Sequence, residues 1–360
     1  MTNLFQELQE KIRNNQRISD ADALALFESN DLLAIGELAA EVNQRKNGNR
    51  VFFNVNRHIN YTNICVNQCI FCAFSKLEGE DDGYTLALDD IREKAAEAVA
   101  AGATEIHSVG GLHPRLPFEF YLDMLRTIKA VSTQLHIKAF TAVEIDYFAK
   151  ISRTTVPEVI NALREAGLGS MPGGGAEIFN KEVRDKICPE KISGERWLEV
   201  TEQIHNAGLK SNATMLFGHL EKYTDRVDHM RRLRELQDRT GGFQSFIPLA
   251  FQPDNTRVLG AKGVGGVDAL KTLAISRIYL DNFQHVKAYW VMLGMKIAQT
   301  ALCFGVNDLD GTVIEEQIGH DAGADSPQVI SKNRIINLIR KAGKIPVERD
   351  TLYNELEEYK

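Results

Sequence analysis

From residue 51 onward one rhythm repeats in this chain. A short run rich in branched or aromatic residues is followed by an amphipathic stretch, at intervals of roughly thirty to forty residues. The runs are Val51–Asn56, Glu105–Val109, Leu135–Thr141, Gly169–Met171, Lys210–Leu216, Phe243–Phe251, His285–Met292 and Gly305–Leu309. Helices are predicted over 88–101, 118–131, 156–166, 194–207, 225–239, 267–281 and 295–303, and Gly102, Gly167, Gly208 and Gly241 stand where helices should end. Strand then helix, about eight times over, describes an α/β chain closed as a (β/α)8 barrel of TIM type. The alternative is an open doubly wound sheet, which carries a glycine-rich fingerprint after its first strand. Here a cysteine loop occupies that place.

The barrel is expected over 48–310, between a helical lead-in at 1–47 and a C-terminal extension at 311–360. In the lead-in, Ser19 with Asp22 three residues on predicts a cap, and Ala23, Leu24 and Phe27 an apolar stripe. The extension holds a predicted helix Lys332–Ala342 capped by Ser331, then Val347–Asp350 and the acidic end, expected as a surface strap or partly loose. The glycines of 260–266 suggest a mobile lid or a plain linker, of which the linker is preferred. A length of 360 residues buries a large core, and 44% hydrophobic with 25% charged residues is ordinary for a globular enzyme. A net charge of −7 argues against a nucleic-acid surface, which needs concentrated Lys and Arg. No apolar run approaches the ~18 residues of a membrane span. The first residues show no signal peptide, and five cysteines, three of them clustered, suit a reducing cytoplasm.

Those three, Cys65, Cys69 and Cys72, stand at the spacing C-x3-C-x2-C in the stretch Tyr61–Ser75. Soft thiolates at this spacing suit zinc or an iron–sulfur cluster. A structural zinc site is closed by four ligands, usually in two pairs. Cys188 and Cys303 are isolated and supply no second pair. A 4Fe–4S cluster held by three thiolates keeps one iron free for a ligand. Zinc and three unrelated buried thiols are the competing readings.

The spacing, with aromatic Phe71 just before the last cysteine, resembles the radical S-adenosylmethionine (radical SAM) enzymes. The resemblance implies that the free iron chelates S-adenosylmethionine, and that one electron through the cluster yields a 5′-deoxyadenosyl radical. A barrel builds its site at the carboxyl ends of its strands. There Gly110-Gly111 match the position that receives the methionine amino group in this superfamily, and Phe71 joins the cofactor wall. Glu144 ends the third strand. The fourth ends in Gly173-Gly174-Gly175, where a cofactor can lie against main chain around Gly174. Glu177 is a candidate for the ribose hydroxyls, Arg184 for the cofactor carboxylate and His219, past the fifth strand, for proton transfer.

Asn60–Cys65, Gly110–Pro114, Pro172–Glu177, Ala213–His219 and Ile247–Thr256 together resemble the radical enzymes of the futalosine route to menaquinone, over about residue 30 to Asn354. Ala139–Ile145 and Ile247–Phe251 are similar to the branch that joins an adenosyl group to an aromatic acid. The resemblance implies addition of the adenosyl radical to the methylene of 3-[(1-carboxyvinyl)oxy]benzoate. Rearrangement onto the ring and loss of bicarbonate then give 6-amino-6-deoxyfutalosine. It also implies a low-potential electron donor such as flavodoxin or ferredoxin. A small aromatic dicarboxylate needs cations or donors in a dry cavity. Arg57, His58, Asn255 and Arg257 are the candidates. A sister branch that closes a ring, and a non-enzymatic iron–sulfur protein, are the alternatives.

Overall fold

In the computed structural model, which describes residues 3–360, the first apolar run is two strands rather than one. Residues 1 and 2 of the expected lead-in lie outside the described residues. β1 (Arg50–Asn54) and β2 (Asn56–Ile59) part at Val55 and enter different sheets. β2 opens a seven-stranded parallel sheet. It continues in chain order through β3 (Glu105–Ser108), β4 (His136–Ala139), β5 (Ser170–Met171), β6 (Lys210–Phe217), β7 (Phe243–Ala250) and β8 (His285–Val286). Single parallel bridges join Lys287 to Asp308 and Arg57 to Ile314. The segment carrying β9 (Asp308–Gly311) therefore stands between the two edges, and the sheet curls toward closure. The barrel expectation holds for seven strands, while the eighth place goes to a strand whose ladder is with β1.

The second sheet has the order β11-β10-β1-β9, with β10 (Ile345–Arg349) parallel to β1 and β11 (Glu355–Glu358) antiparallel to β10. The residues expected as a surface strap are thus an interior strand. Val347 and Arg349 are fully buried, and Arg349 Nε lies 2.7 Å from Asp308 Oδ2.

Local chemistry explains most helix starts. Ser19 and Asp22 form the expected capping box, and Ser331 caps Lys332–Lys341. The lead-in is tied down by Lys271, whose Nζ donates to the carbonyls of Phe27 and Ser29 at 2.9 and 2.7 Å. Two predicted strands end early. β4 stops at Ala139 because Thr141 and Glu144 form the capping box of a helix, Ala142–Ser152. The run 285–292 is strand only at His285–Val286. Trp290–Ala301 is helical, and the buried Trp290 donates Nε1–H to Gly311 O at 2.9 Å. Among the described residues no helix is long and apolar enough to cross a membrane.

Barrels of this type are usually filled by layers of branched aliphatic side chains. This one holds ion pairs. Lys138 Nζ lies 2.8 Å from Glu105 Oε2 and Lys287 Nζ 2.9 Å from Asp310 Oδ1, with all four side chains buried. Burial opposes the charge on Glu105, but the ammonium of Lys138 and its hydrogen bond outweigh burial and hold the carboxyl well below the ordinary range. Above this layer lies the cavity.

Candidate active site

The loops that follow the strands enclose a cavity of about 290 Å³. Cys65, Cys69 and Cys72 all line it. Their loop is held by backbone hydrogen bonds from Val66 N to Leu112 O (3.0 Å), Ile70 N to Ile187 O (2.9 Å) and Arg257 N to Ile70 O (2.7 Å). Leu112 N–H points at Cys65 Sγ at 3.4 Å, a donor suited to a thiolate. Among the described residues, no three His, Cys, Asp or Glu side chains converge as the ligands of one metal ion do. Three thiols on the wall of one cavity are a donor set of the kind that holds an iron–sulfur cluster.

Burial pushes the Cys65 and Cys72 thiols up, whereas a hydrogen bond with Cys188 draws Cys69 down to about 7. Cys188, isolated in sequence, is therefore packed against a member of the cysteine loop. Lys191 follows three residues later and was not foreseen. Its Nζ lies 2.8 Å from Glu177 Oε1 and 5.0 Å from the centre of the Phe71 ring, and all three residues line the cavity. Burial opposes its charge, but Cys69 and Glu177 outweigh burial and hold the ammonium protonated.

Gly110 and Gly111 line the cavity, yet the space a side chain would need there is taken by the cysteine loop. A Cβ on Gly110 would sit 2.7 Å from the Tyr61 ring, and one on Gly111 2.2 Å from Ile64 O. The glycines let the end of β3 and the cysteine loop touch. Glu144 binds them together, accepting from Tyr61 Oη at 2.6 Å, Gly110 N at 3.2 Å and Thr141 N at 2.6 Å. Burial still raises its carboxyl above the ordinary value, against those hydrogen bonds. At the fourth strand end, Gly174 lines the cavity and its carbonyl accepts from Trp197 Nε1 at 3.1 Å. A Cβ on Gly173 would meet Asn212 O at 2.5 Å.

Several candidates stand elsewhere. Arg184 is buried and donates to the carbonyls of Ala176, Ile178 and Ile192, so it braces the glycine loop from behind instead of facing a ligand. His219 is not on the cavity wall. Its Nδ1 accepts from Leu220 N at 2.7 Å, leaving Nε2–H to donate to Leu216 O at 3.0 Å, and burial lowers its basicity. Arg57 turns outward to Glu97 and Glu315, Asn255 donates to Asp321 O, and Arg257 donates to Gln68 O. The last of these supports the cysteine loop.

His58 does line the cavity, and it is stacked on His107 with ring centres 4.4 Å apart and planes 3° from parallel. Asp310, Glu316 and Tyr289 stand on the same wall. None of these four companions was singled out from the sequence. A signal existed in β3, where Glu105 and His107 alternate with Ile106 and place polar residues on the ligand side. Ile247, Leu249, Phe251 and Met292 supply an apolar wall.

Residues 59–233 match the model of the Radical SAM superfamily and residues 240–360 that of the CofH/MqnC C-terminal region. The chain is 47% identical to the aminodeoxyfutalosine synthase of Thermus thermophilus, covering 96% of this chain and 94% of that protein. It is 41% identical to the 5-amino-6-(D-ribitylamino)uracil–L-tyrosine 4-hydroxyphenyl transferase of Methanopyrus kandleri, over 87% and 86% of the two chains. Identity to the cyclic dehypoxanthine futalosine synthase of Streptomyces coelicolor is 39%, over 94% and 86%. Among solved structures, methylornithine synthase superposes with a TM-score of 0.74 at 18% identity, over 94% of this chain and 97% of that one, a likeness of fold.

Proposed function

We infer the function from one premise: this chain belongs to the radical SAM superfamily, in the branch that holds the aminodeoxyfutalosine synthases. It joins the 5′-deoxyadenosyl group to 3-[(1-carboxyvinyl)oxy]benzoate, with rearrangement and loss of bicarbonate, to give 6-amino-6-deoxyfutalosine. The observation that carries the reading is 47% identity spread over more than nine tenths of both chains. When bound, a 4Fe–4S cluster supplies the electron that cleaves S-adenosylmethionine to the adenosyl radical, and a low-potential carrier of the flavodoxin or ferredoxin kind delivers it.

The residues divide the work by position. Cys65, Cys69 and Cys72 hold the cluster. Phe71, Gly110, Gly111, Glu144, Gly174 and Glu177 form the adjoining wall, against which S-adenosylmethionine lies. Lys191 neutralises Glu177, so that side of the wall is not a net negative surface. Ile247, Leu249 and Phe251 flank the aromatic ring and keep water from the reacting carbons, whose addition is a problem of positioning more than of acid–base chemistry. His58 takes part in holding the acid.

The test is anaerobic reconstitution with iron and sulfide, then dithionite, S-adenosylmethionine and one candidate substrate per assay. Conversion of 3-[(1-carboxyvinyl)oxy]benzoate to an adenosyl adduct that has lost a carboxylate supports the reading. Ring closure of dehypoxanthine futalosine, or coupling of tyrosine to 5-amino-6-(D-ribitylamino)uracil, with no adduct in the first assay, overturns it.

A further inference from the structure

The part of the cavity wall that carries His58 contains polar groups without an evident task. The chain climbs from His58 on β2 to Cys65 seven positions later, so the two mark opposite ends of one ascending segment. His58 is 5% exposed and its Nε2 has no hydrogen-bond partner. A buried unpaired imidazole nitrogen is costly unless something that binds there completes it. His107, from the neighbouring strand in register, stacks on it and keeps 19% of its side chain open.

The surrounding charges are already committed. Glu105 pairs with Lys138, Asp310 with Lys287, and Glu316 accepts from Gly319 N at 3.0 Å and faces His320 at 3.2 Å. These are the ionisable groups that face the two rings: Glu316, Asp310, Glu105 and Lys138. Burial disfavours charge on both imidazoles, so without a ligand each is neutral. The cavity's other cation, Lys191, is held by Glu177, and among the described residues no arginine lines the wall.

An acid group therefore has one place to go. In 3-[(1-carboxyvinyl)oxy]benzoate one carboxylate sits on the carbon next to the reacting methylene and stays at the cysteine end. The other, on the ring, lies at the far end of the molecule. We propose that the stacked imidazoles of His58 and His107 form the subsite for this ring carboxylate, and that its arrival brings a proton onto the pair. Glu105, Asp310 and Glu316 are already held by Lys138, Lys287 and His320, so the carboxylate supplies the negative partner that is free to pair, and the proton comes from solvent as the substrate enters. This subsite rests on the functional reading above.

The experiment is calorimetric titration of the anaerobic cluster-loaded protein at pH 7.5, without S-adenosylmethionine, in buffers of different ionisation heat. The probes are the dicarboxylate and 2-phenoxyacrylate, which lacks the ring carboxylate. Expected are uptake of about one proton with the dicarboxylate and none with the analogue. H58Q and H107Q each weaken the dicarboxylate at least tenfold, abolish proton uptake and leave the analogue's affinity within a few-fold; iron content and cluster absorbance report folding. Equal proton counts for both ligands in the unmodified protein, or equal losses of both ligands in the variants, overturn the subsite. If the functional reading itself is wrong, the unmodified protein neither binds nor converts the dicarboxylate, and the subsite falls with it.

Discussion

The two ends of the cavity are made of different material. At the cysteine end, main chain meets main chain: Gly111 lies under Ile64 O, Leu112 N points at Cys65 and Ile70 is tied to Ile187. At the other end, side chains from separate strands meet through charge and stacking: His58 on His107, Lys138 on Glu105, Lys287 on Asp310. The first arrangement depends on backbone shape, which only a few residue types permit. The second depends on partners being present together, so it fails pairwise. The contrast predicts which substitutions abolish chemistry and which cost stability.

The largest effect belongs to the thiols. On the proposed assignment, Ala in place of Cys65, Cys69 or Cys72 removes a ligand from a three-ligand cluster, and both iron content and 5′-deoxyadenosine formation fall to background. Retention of full iron and of reductive S-adenosylmethionine cleavage by any of the three would falsify the assignment. The other end answers differently. K138M strands the fully buried Glu105 carboxylate, and such a break costs about 3–5 kcal/mol in urea unfolding, with cluster content retained in the surviving fold. Replacing both partners by Met costs less than K138M alone, because no uncompensated charge remains. A double substitution at least as damaging as the single one breaks the comparison.

A smaller loss is expected from G111A. The added methyl would stand 2.2 Å from Ile64 O, and the cysteine loop must yield to it. Overpacking of this kind costs about 1–3 kcal/mol. The diagnostic readout is iron bound per folded protein, which falls in G111A and is unchanged in K138M. If G111A binds iron normally, backbone contact is not what shapes the cysteine end.

The same contrast decides what could be read from the sequence. The cysteine end was legible because its parts are contiguous: three thiols, an aromatic residue, paired glycines. Even there the reason differed, since Gly110 and Gly111 admit Tyr61 and Ile64 before any ligand. The far end was not legible. His107 and Glu105 are single residues in a four-residue strand, and their meaning appears only when β2 and β4 lie beside them in register. The same is true of Arg349, whose buried partner Asp308 is forty-one positions earlier. His219 and Arg57 followed the opposite error. Position near a strand end suggested a ligand role, but their polar atoms are satisfied by Leu216, Leu220, Glu97 and Glu315. Strand ends place residues near the site, and the direction of each side chain is set by the nearest available partner.

Cys188 sharpens the comparison most finely, because it belongs to neither class. It reaches the cysteine loop as a side chain, yet its own backbone is held by Arg184 O and Lys191 N, and the preceding carbonyl takes Ile70 N. Once Cys69 is an iron ligand, a thiol in contact with it is a hydrogen-bond donor to cluster sulfur. Such donors stabilise the reduced, more negative cluster and raise its potential. C188A should keep full iron, because no ligand is lost, and lower the midpoint potential by no more than the ~59 mV that a tenfold change represents for one electron. C188S, which retains a donor, should sit between C188A and the unmodified protein. EPR-monitored redox titration separates the three. An unchanged potential in C188A makes the contact mere packing, whereas loss of iron makes Cys188 part of the scaffold that shapes the loop.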